Sequence, residues 1–190
     1  MNVTSTAARF SIAETTLDGL VCIQRKQQED VRGFFSRFFC ADELRAAGFR
    51  DPIQQINHTL TRRRGSVRGF HFQRPPHAET KFVSCIRGEV FDVAVDLRRG
   101  SGTFLRWHGQ RLSADNHCSL LIPKGFAHGF QALSDDAELV YLHSEPYNPM
   151  AEGALNVLDP ALAVAWPLPL GDLSERDANH PYLTTDFGGI

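Results

Sequence analysis

The 190-residue chain is long enough to bury a substantial core and short enough to read as one domain, spanning residues 1–190. Hydrophobic residues make up 42% and charged residues 22%, the balance of a globular protein, which argues against a disordered or fibrous chain. A formal net charge of -2 speaks against nucleic-acid or membrane-surface binding driven by overall charge. Cys22, Cys40, Cys85 and Cys118 are widely spaced with no C-x-x-C pair and are read as reduced thiols. The first twenty residues lack the uninterrupted apolar run of a signal peptide, and no later run nears the roughly 18 apolar residues of a membrane span. A cytoplasmic protein is expected.

In chain order, residues from about 1 to 40 are expected to supply N-terminal strands, and Ala41 to Gly48 a helix. That helix would carry acids in its first turn and Gly48 as its stop. The core, from about 53 to 147, is dense with strand patterns. Glu89 to Leu97 places Phe91, Val93, Val95 and Leu97 on one face at period two and Asp92 and Asp96 on the other, as a half-buried strand requires. The runs CSLLIP, GFQAL and AELVYL follow, with turn signals at Arg87-Gly88, Asp115-Asn116, Pro123-Lys124-Gly125 and Ser134-Asp135-Asp136. Arg62-Arg63-Arg64 before Gly65 reads as a solvated hairpin tip. From about 148 to 190 the chain reads as loop, opening a short helix at Ser174 to Asp177 through a capping-box pattern. The predicted class is all-β, an antiparallel sandwich, jelly roll or barrel with one or two short helices.

Two segments concentrate chemistry. Arg68-Gly69-Phe70-His71-Phe72-Gln73, followed by Lys81, joins an imidazole to an ammonium on expected neighbouring strand positions. Ile122 to Phe130 adds His128 after a Pro-Lys-Gly turn. Together they resemble a degraded pair of cupin motifs, with His71-Phe72-Gln73 where H-x-H is usual and Pro123, Gly125 and His128 preserving P-x-G-x-x-H. The set of metal ligands on offer is His71, Glu79 and His128, the two-histidine, one-carboxylate arrangement of a cupin oxygenase. Gln73 is a poor ligand and Lys81 would place a positive charge near the cation, so no metal is expected.

From Asp30 to Asp177 the chain resembles the dTDP-4-dehydrorhamnose 3,5-epimerases. The matching pieces arrive in family order: Asp30-Val31-Arg32-Gly33-Phe34-Phe35, Gln55-Ile56-Asn57-His58-Thr59, RGFHFQRPPHAETK, GEVFDVAVDLRRGS, LSADN, IPKGFAHGF, the Tyr141 strand and LSERD. The resemblance implies a cupin-like jelly-roll barrel, a dTDP-sugar substrate with a ketone at C4 of a 6-deoxyhexose, no cofactor, and a homodimer with N-terminal strands exchanged between subunits. Protons at C3 and C5 lie α to that ketone, so a base can remove either to give an enolate. The family-matched base is His71, largely neutral near pH 7 at an ordinary pKa of about 6.5. Asp177 matches the carboxylate that fixes the imidazole tautomer, Tyr141 the acid, and Lys81 is the candidate to hold the enolate oxygen. Arg32 and Arg68 would grip the pyrophosphate, whose geometry suits a guanidinium fork. Phe35, Gln55, Asn57, His128 and Tyr147 sit at positions that line the family's site.

Each residue also has a plainer reading. His71 would be an ordinary strand histidine, Asp177 a capping carboxylate, Tyr141 a core aromatic, Lys81 an edge-strand lysine and His128 a packing residue. The chain departs from the commonest family pattern at Pro146, Leu121 and Arg37. Those departures leave a 3- or 5-monoepimerase open beside double epimerisation, and a non-catalytic sugar-binding cupin is the remaining class.

Overall fold

The computed structural model describes residues 9–190; the first eight residues of the expected N-terminal segment lie outside them. Two antiparallel sheets face each other. The first runs β1 (Phe10–Glu14), β2 (Val21–Arg25), β10 (Cys118–Ile122), β7 (Lys81–Arg87), β12 (Ala137–His143) and β5 (Gln55–Thr61). The second runs β13 (Glu152–Ala154), β6 (Val67–Gln73), β11 (Phe126–Ala132), β8 (Glu89–Asp96) and β9 (Trp107–Ser113). A separate two-stranded ribbon joins β3 (Gln27–Asp30) to β4 (Gly33–Ser36). From β5 to β8 and again from β9 to β13, successive strands cross from one sheet to the other, the connectivity of a jelly roll.

Side-chain alternation then distributes the apolar residues over three layers. Val83, Cys85, Leu112, Leu120, Phe130 and Leu139 pack between the sheets. Phe82 and Leu121, one residue out of phase, point to the other side of the first sheet and meet Leu44 and Phe49 of the helical segment. Phe70, Val93 and Val95 point outward from the second sheet and are covered by Leu155, Val157, Leu162 and Trp166 of the C-terminal segment. That cover corrects the expected half-buried strand. In β8 both faces are buried, and Asp92 and Asp96 are inaccessible to solvent because their face is the interior of the sandwich.

The two helices are small. α1 spans only Ala41–Arg45, shorter than the expected run to Gly48, and buries Leu44 alone. α2 spans Glu175–Ala178, where the Ser174 hydroxyl accepts the Asp177 N–H at 3.0 Å. Half of the expected capping box forms; the Asp177 carboxylate is directed elsewhere. Arg62 to Arg64 make the crossing from one sheet to the other rather than a hairpin tip, since β5 and β6 do not pair. The four cysteines are free thiols, and among the described residues no helix is long and apolar enough to cross a membrane.

Candidate active site

Between the sheets opens a cavity of about 390 Å³. Period two on β5 presents Gln55, Asn57 and Thr59 to it, and on β12 Tyr141 and His143; β7 adds Lys81, β11 His128, and the C-terminal segment Arg176 and Asp177. Nine of the eleven site residues expected from the sequence line this one space: Gln55, Asn57, Arg68, His71, Lys81, His128, Tyr141, Tyr147 and Asp177.

The RGFH segment owes its geometry to a bulge. Opposite β11, His71 pairs with His128 and Arg68 with Phe130, so three steps on β6 span two on its partner. The extra residue turns both Arg68 and His71 toward the cavity, which strict alternation would forbid. Only glycine fits there: at φ +123 a Cβ on Gly69 would lie 2.5 Å from Gly129 Cα. The glycines of RGFH and AHGF thus allow two backbones to touch behind the site.

His71 Nε2–H donates to Asp177 Oδ1 at 2.7 Å, and among the described residues its other ring nitrogen has no protein partner. Asp177 is buried while the His71 side chain remains 35% exposed to the cavity. The Gly69 N–H reaches the second carboxylate oxygen at 3.4 Å. Burial alone would raise the Asp177 pKa, but the His71 hydrogen bond and charge, with the Gly69 N–H, hold it below the ordinary carboxylate range. A carboxylate so placed fixes the imidazole tautomer and leaves the free nitrogen able to take a proton.

Tyr141 stands on the opposite sheet. Its buried hydroxyl lies 3.3 Å from Thr59 Oγ1, and its ring stacks on His143 at 6.0 Å and meets His128 edge-on at 5.9 Å. Burial pushes the phenol pKa up, against a smaller lowering by the Thr59 hydrogen bond. Lys81 also comes from this sheet, facing β6 rather than neighbouring it as expected. Its ammonium sits 3.1 Å from Glu79 and donates to the His71 carbonyl at 3.3 Å. Glu79 takes the His143 Nδ1–H at 2.7 Å as well. Burial acts to raise the Glu79 pKa, yet His143 and Lys81 together bring it below the ordinary value. Lys81 is therefore a compensated cation. Beneath Tyr141, His128 Nε2 bonds Asp92 at 2.8 Å, while the other Asp92 oxygen is buried without a partner among the described residues.

Polar contacts continue around the rim. Gln55 Oε1 accepts the Tyr147 N–H at 2.9 Å, the Tyr147 hydroxyl donates to Glu152 at 2.9 Å, and Glu152 pairs with Arg176. Arg68 points its guanidinium along the wall, donating to Thr61 at 3.1 Å.

Two expected residues are not brought to the cavity. Arg32 and Phe35 lie on the β3–β4 ribbon, where Arg32 pairs with Asp30 at 2.5 Å and Phe35 is 63% exposed. Arg37 likewise pairs with Glu43 on the surface. His71, Glu79 and His128, the ligand set on offer for a cupin oxygenase, each engage a different group: Asp177, Lys81 with His143, and Asp92. Thr59, His143, Glu152 and Arg176 are cavity residues that sequence reasoning missed. Period two from Asn57 and from Tyr141 would have found the first two.

The sequence profile described as dTDP-4-dehydrorhamnose 3,5-epimerase matches residues 14–185. The chain belongs to the dTDP-4-dehydrorhamnose 3,5-epimerase family. An epimerase of that name from Methanothermobacter thermautotrophicus is 41% identical over 175 residues, covering 90% of this chain and 94% of the relative. A dTDP-4-dehydrorhamnose 3-epimerase from Streptomyces niveus is 41% identical over 162 residues, covering 85% and 78%. In structure, the chain superimposes on dTDP-6-deoxy-D-glucose-3,5-epimerase from Legionella pneumophila, solved with dTDP-4-keto-L-rhamnose, with a TM-score of 0.87 and 41% identity over 91% of this chain and 92% of that one. These likenesses place the two-sheet fold among the cupin-like jelly rolls of the epimerase family, and the profile spans every one of the nine expected cavity residues.

Proposed function

We propose that this chain inverts C3 and C5 of a nucleoside-diphosphate 4-keto-6-deoxyhexose, converting dTDP-4-dehydro-6-deoxyglucose to dTDP-4-dehydrorhamnose. One observation carries the reading: His71 and Tyr141 project into the same cavity from opposite sheets. A sugar ring held between them meets a base on one face and an acid on the other. The free nitrogen of His71 removes the proton α to the ketone, and Asp177 stabilises the imidazolium that forms. The electron pair moves onto the ketone oxygen, where the buried Lys81 ammonium offers an N–H donor. Tyr141, kept protonated by its burial, returns a proton to carbon from the far side. The same exchange at the second α carbon completes the double inversion.

Arg68 is suited to the pyrophosphate, and Gln55, Asn57, His128 and Tyr147 to the sugar and its approaches. Arg32 and Phe35, exposed on the β3–β4 ribbon, fit a role in a partner's site within a homodimer. The protein acts as one domain in the cytoplasm, without a cofactor or metal in the reaction.

Incubation with dTDP-4-dehydro-6-deoxyglucose in deuterated water, followed by proton NMR, tests the reaction. Deuterium at both C3 and C5 is expected, and none at either carbon would refute the reading. Insensitivity to a chelator separates it from the metal-dependent oxygenase. A second reading, epimerisation at C3 alone, is favoured by the Streptomyces niveus relative. Label confined to C3 would establish it instead.

A further inference from the structure

Behind the proposed base stands a second imidazole that the reaction does not use. His180 follows α2 by two residues, and its Nε2 lies 3.6 Å from the Asp177 oxygen that already bonds His71. That nitrogen is buried and has no hydrogen-bond partner among the described residues. A buried polar atom left unpaired is costly, and so it asks for a ligand. The backbone carrying it is fixed rather than loose, because the buried Asn156 side chain donates to the carbonyls of Ala178 at 3.3 Å and His180 at 2.8 Å.

His71, Asp177 and His180 thus offer one donor atom each, all within 4.8 Å of one another. A tetrahedral zinc ion, with bonds near 2.0 to 2.2 Å, sets its ligand atoms about 3.4 Å apart. The two separations known here, 2.7 Å from His71 to Asp177 and 3.6 Å from Asp177 to His180, bracket that value. Two imidazoles and a carboxylate are a donor set that borderline-soft divalent ions prefer, and a water molecule would complete the tetrahedron. Two of the cavity's cations are already paired, Arg176 with Glu152 and Lys81 with Glu79, which weakens their repulsion of the ion.

We propose that His71, Asp177 and His180 form an inhibitory binding site for a zinc-class divalent ion. The atoms balance without an added reagent. Neutral His71 carries its proton on Nε2, facing Asp177; when the ion takes that nitrogen, the proton moves through solvent to the other ring nitrogen. The nitrogen that faces the substrate is then protonated and has no lone pair to accept a hydrogen from carbon. Binding of the ion stands on geometry alone, whereas its inhibitory effect rests on His71 being the base.

The test uses full-length protein freed of metal with a chelator and then titrated with zinc sulfate. Calorimetry should find one zinc per chain, thermal melting should rise, and deuterium exchange into the sugar should disappear in step with occupancy and return on adding EDTA. His180→Phe should keep its exchange in the absence of zinc while binding the ion at least tenfold more weakly, since loss of even a supporting partner costs roughly 10- to 100-fold in metal affinity. His180→Asn, smaller and polar, serves the same purpose if the phenylalanine disturbs folding. No stoichiometric binding to the wild type, or equal binding by both His180 variants, overturns the site. Zinc bound at one equivalent with exchange undiminished overturns the inhibition. Absence of exchange in metal-free wild type would instead count against the epimerase reading, with zinc binding still measurable by calorimetry.

Discussion

Replacing Asp177 by asparagine keeps the shape of the His71 partner and removes only its charge. The α2 cap survives, because Ser174 accepts from the backbone N–H of residue 177. Two effects follow for His71. The lost charge weakens a hydrogen bond of 2.7 Å, the kind to which charged partners contribute about 1.5–3 kcal/mol, or roughly 10- to 150-fold in rate. The second effect is larger. Asp177 lies between two donors, the His71 ring and the Gly69 N–H. An asparagine there satisfies the fixed backbone donor with its one oxygen, which turns its NH₂ toward His71 Nε2. The imidazole must then accept at Nε2 and carry its proton on the nitrogen meant to take one from carbon. An asparagine in the corresponding place of a serine-hydrolase triad costs about 10⁴ in kcat through the same tautomer error. We expect a fall of about 10³- to 10⁴-fold in solvent exchange at both carbons, with an unchanged far-ultraviolet spectrum, read by proton NMR in deuterated water. A variant within tenfold of wild type would show that Asp177 neither fixes the tautomer nor stabilises an imidazolium.

Tyr141→Phe should leave exchange at one face running while inversion falls by about 10²- to 10⁴-fold, the usual contribution of a positioned acid; undiminished inversion would place the acid elsewhere. Glu79→Gln strips the carboxylate shared by Lys81 and His143 and leaves a buried ammonium uncompensated, so stability near pH 7 should drop by about 3 kcal/mol in denaturant unfolding. The sign of its pH dependence is fixed: the folded Glu79 pKa is depressed, so its stabilisation is complete above the ordinary glutamate range and fades as pH falls through the folded value. The wild-type and variant curves should therefore converge below about pH 4.5, and a gap that widens on acidification would refute the pairing. Gly69→Ala forces a Cβ to within 2.5 Å of Gly129 Cα, against backbone that cannot swing aside. A loss of about 2 kcal/mol or more in melting experiments is expected, together with lost exchange; wild-type behaviour would mean that the bulge does not set the direction of His71.

Local sequence carried much of this architecture. The apolar runs CSLLIP and AELVYL, with the turn signals beside them, marked β10 and β12 to within a residue, and GFQAL marked the second half of β11. The ordered motifs brought nine site residues to one cavity although they are scattered over some 120 positions between Gln55 and Asp177. What stayed hidden depended on a second layer. Asp92 looked solvent-facing because the pattern of β8 cannot reveal that the C-terminal segment covers its other face. His143 lies on the period-two face of Tyr141, but its partner Glu79, 64 residues upstream, could not be paired with it from local pattern. His180 follows a helix too short to show periodicity, so its approach to Asp177 three residues upstream was not legible either. Arg32 and Phe35 are a different case. Their motif is plain in the sequence, yet within one chain it sits on an exposed ribbon, so its use depends on a surface that a single subunit does not supply.

The sandwich itself bears on the stereochemistry. If a base and an acid both stood on one sheet, they would address the same face of a bound ring, and a proton returned by either would restore the configuration it started from. Inversion needs donors on opposite faces. In a jelly roll the chain crosses between sheets at nearly every turn, so β6 and β7, though consecutive, belong to opposite walls. His71 and Lys81 are therefore ten residues apart in sequence and face each other across the cavity. Tyr141, cross-strand from Val83 on β7, belongs to the Lys81 wall, and its burial withholds it from water until a carbanion offers a stronger base. Of the four groups given a part in the proton transfer, Asp177 alone comes from outside the two sheets, carried by a four-residue helix whose cap, Ser174, is set by local sequence. The proposed proton traffic thus follows from strand connectivity, and its direction from one carboxylate on a C-terminal turn.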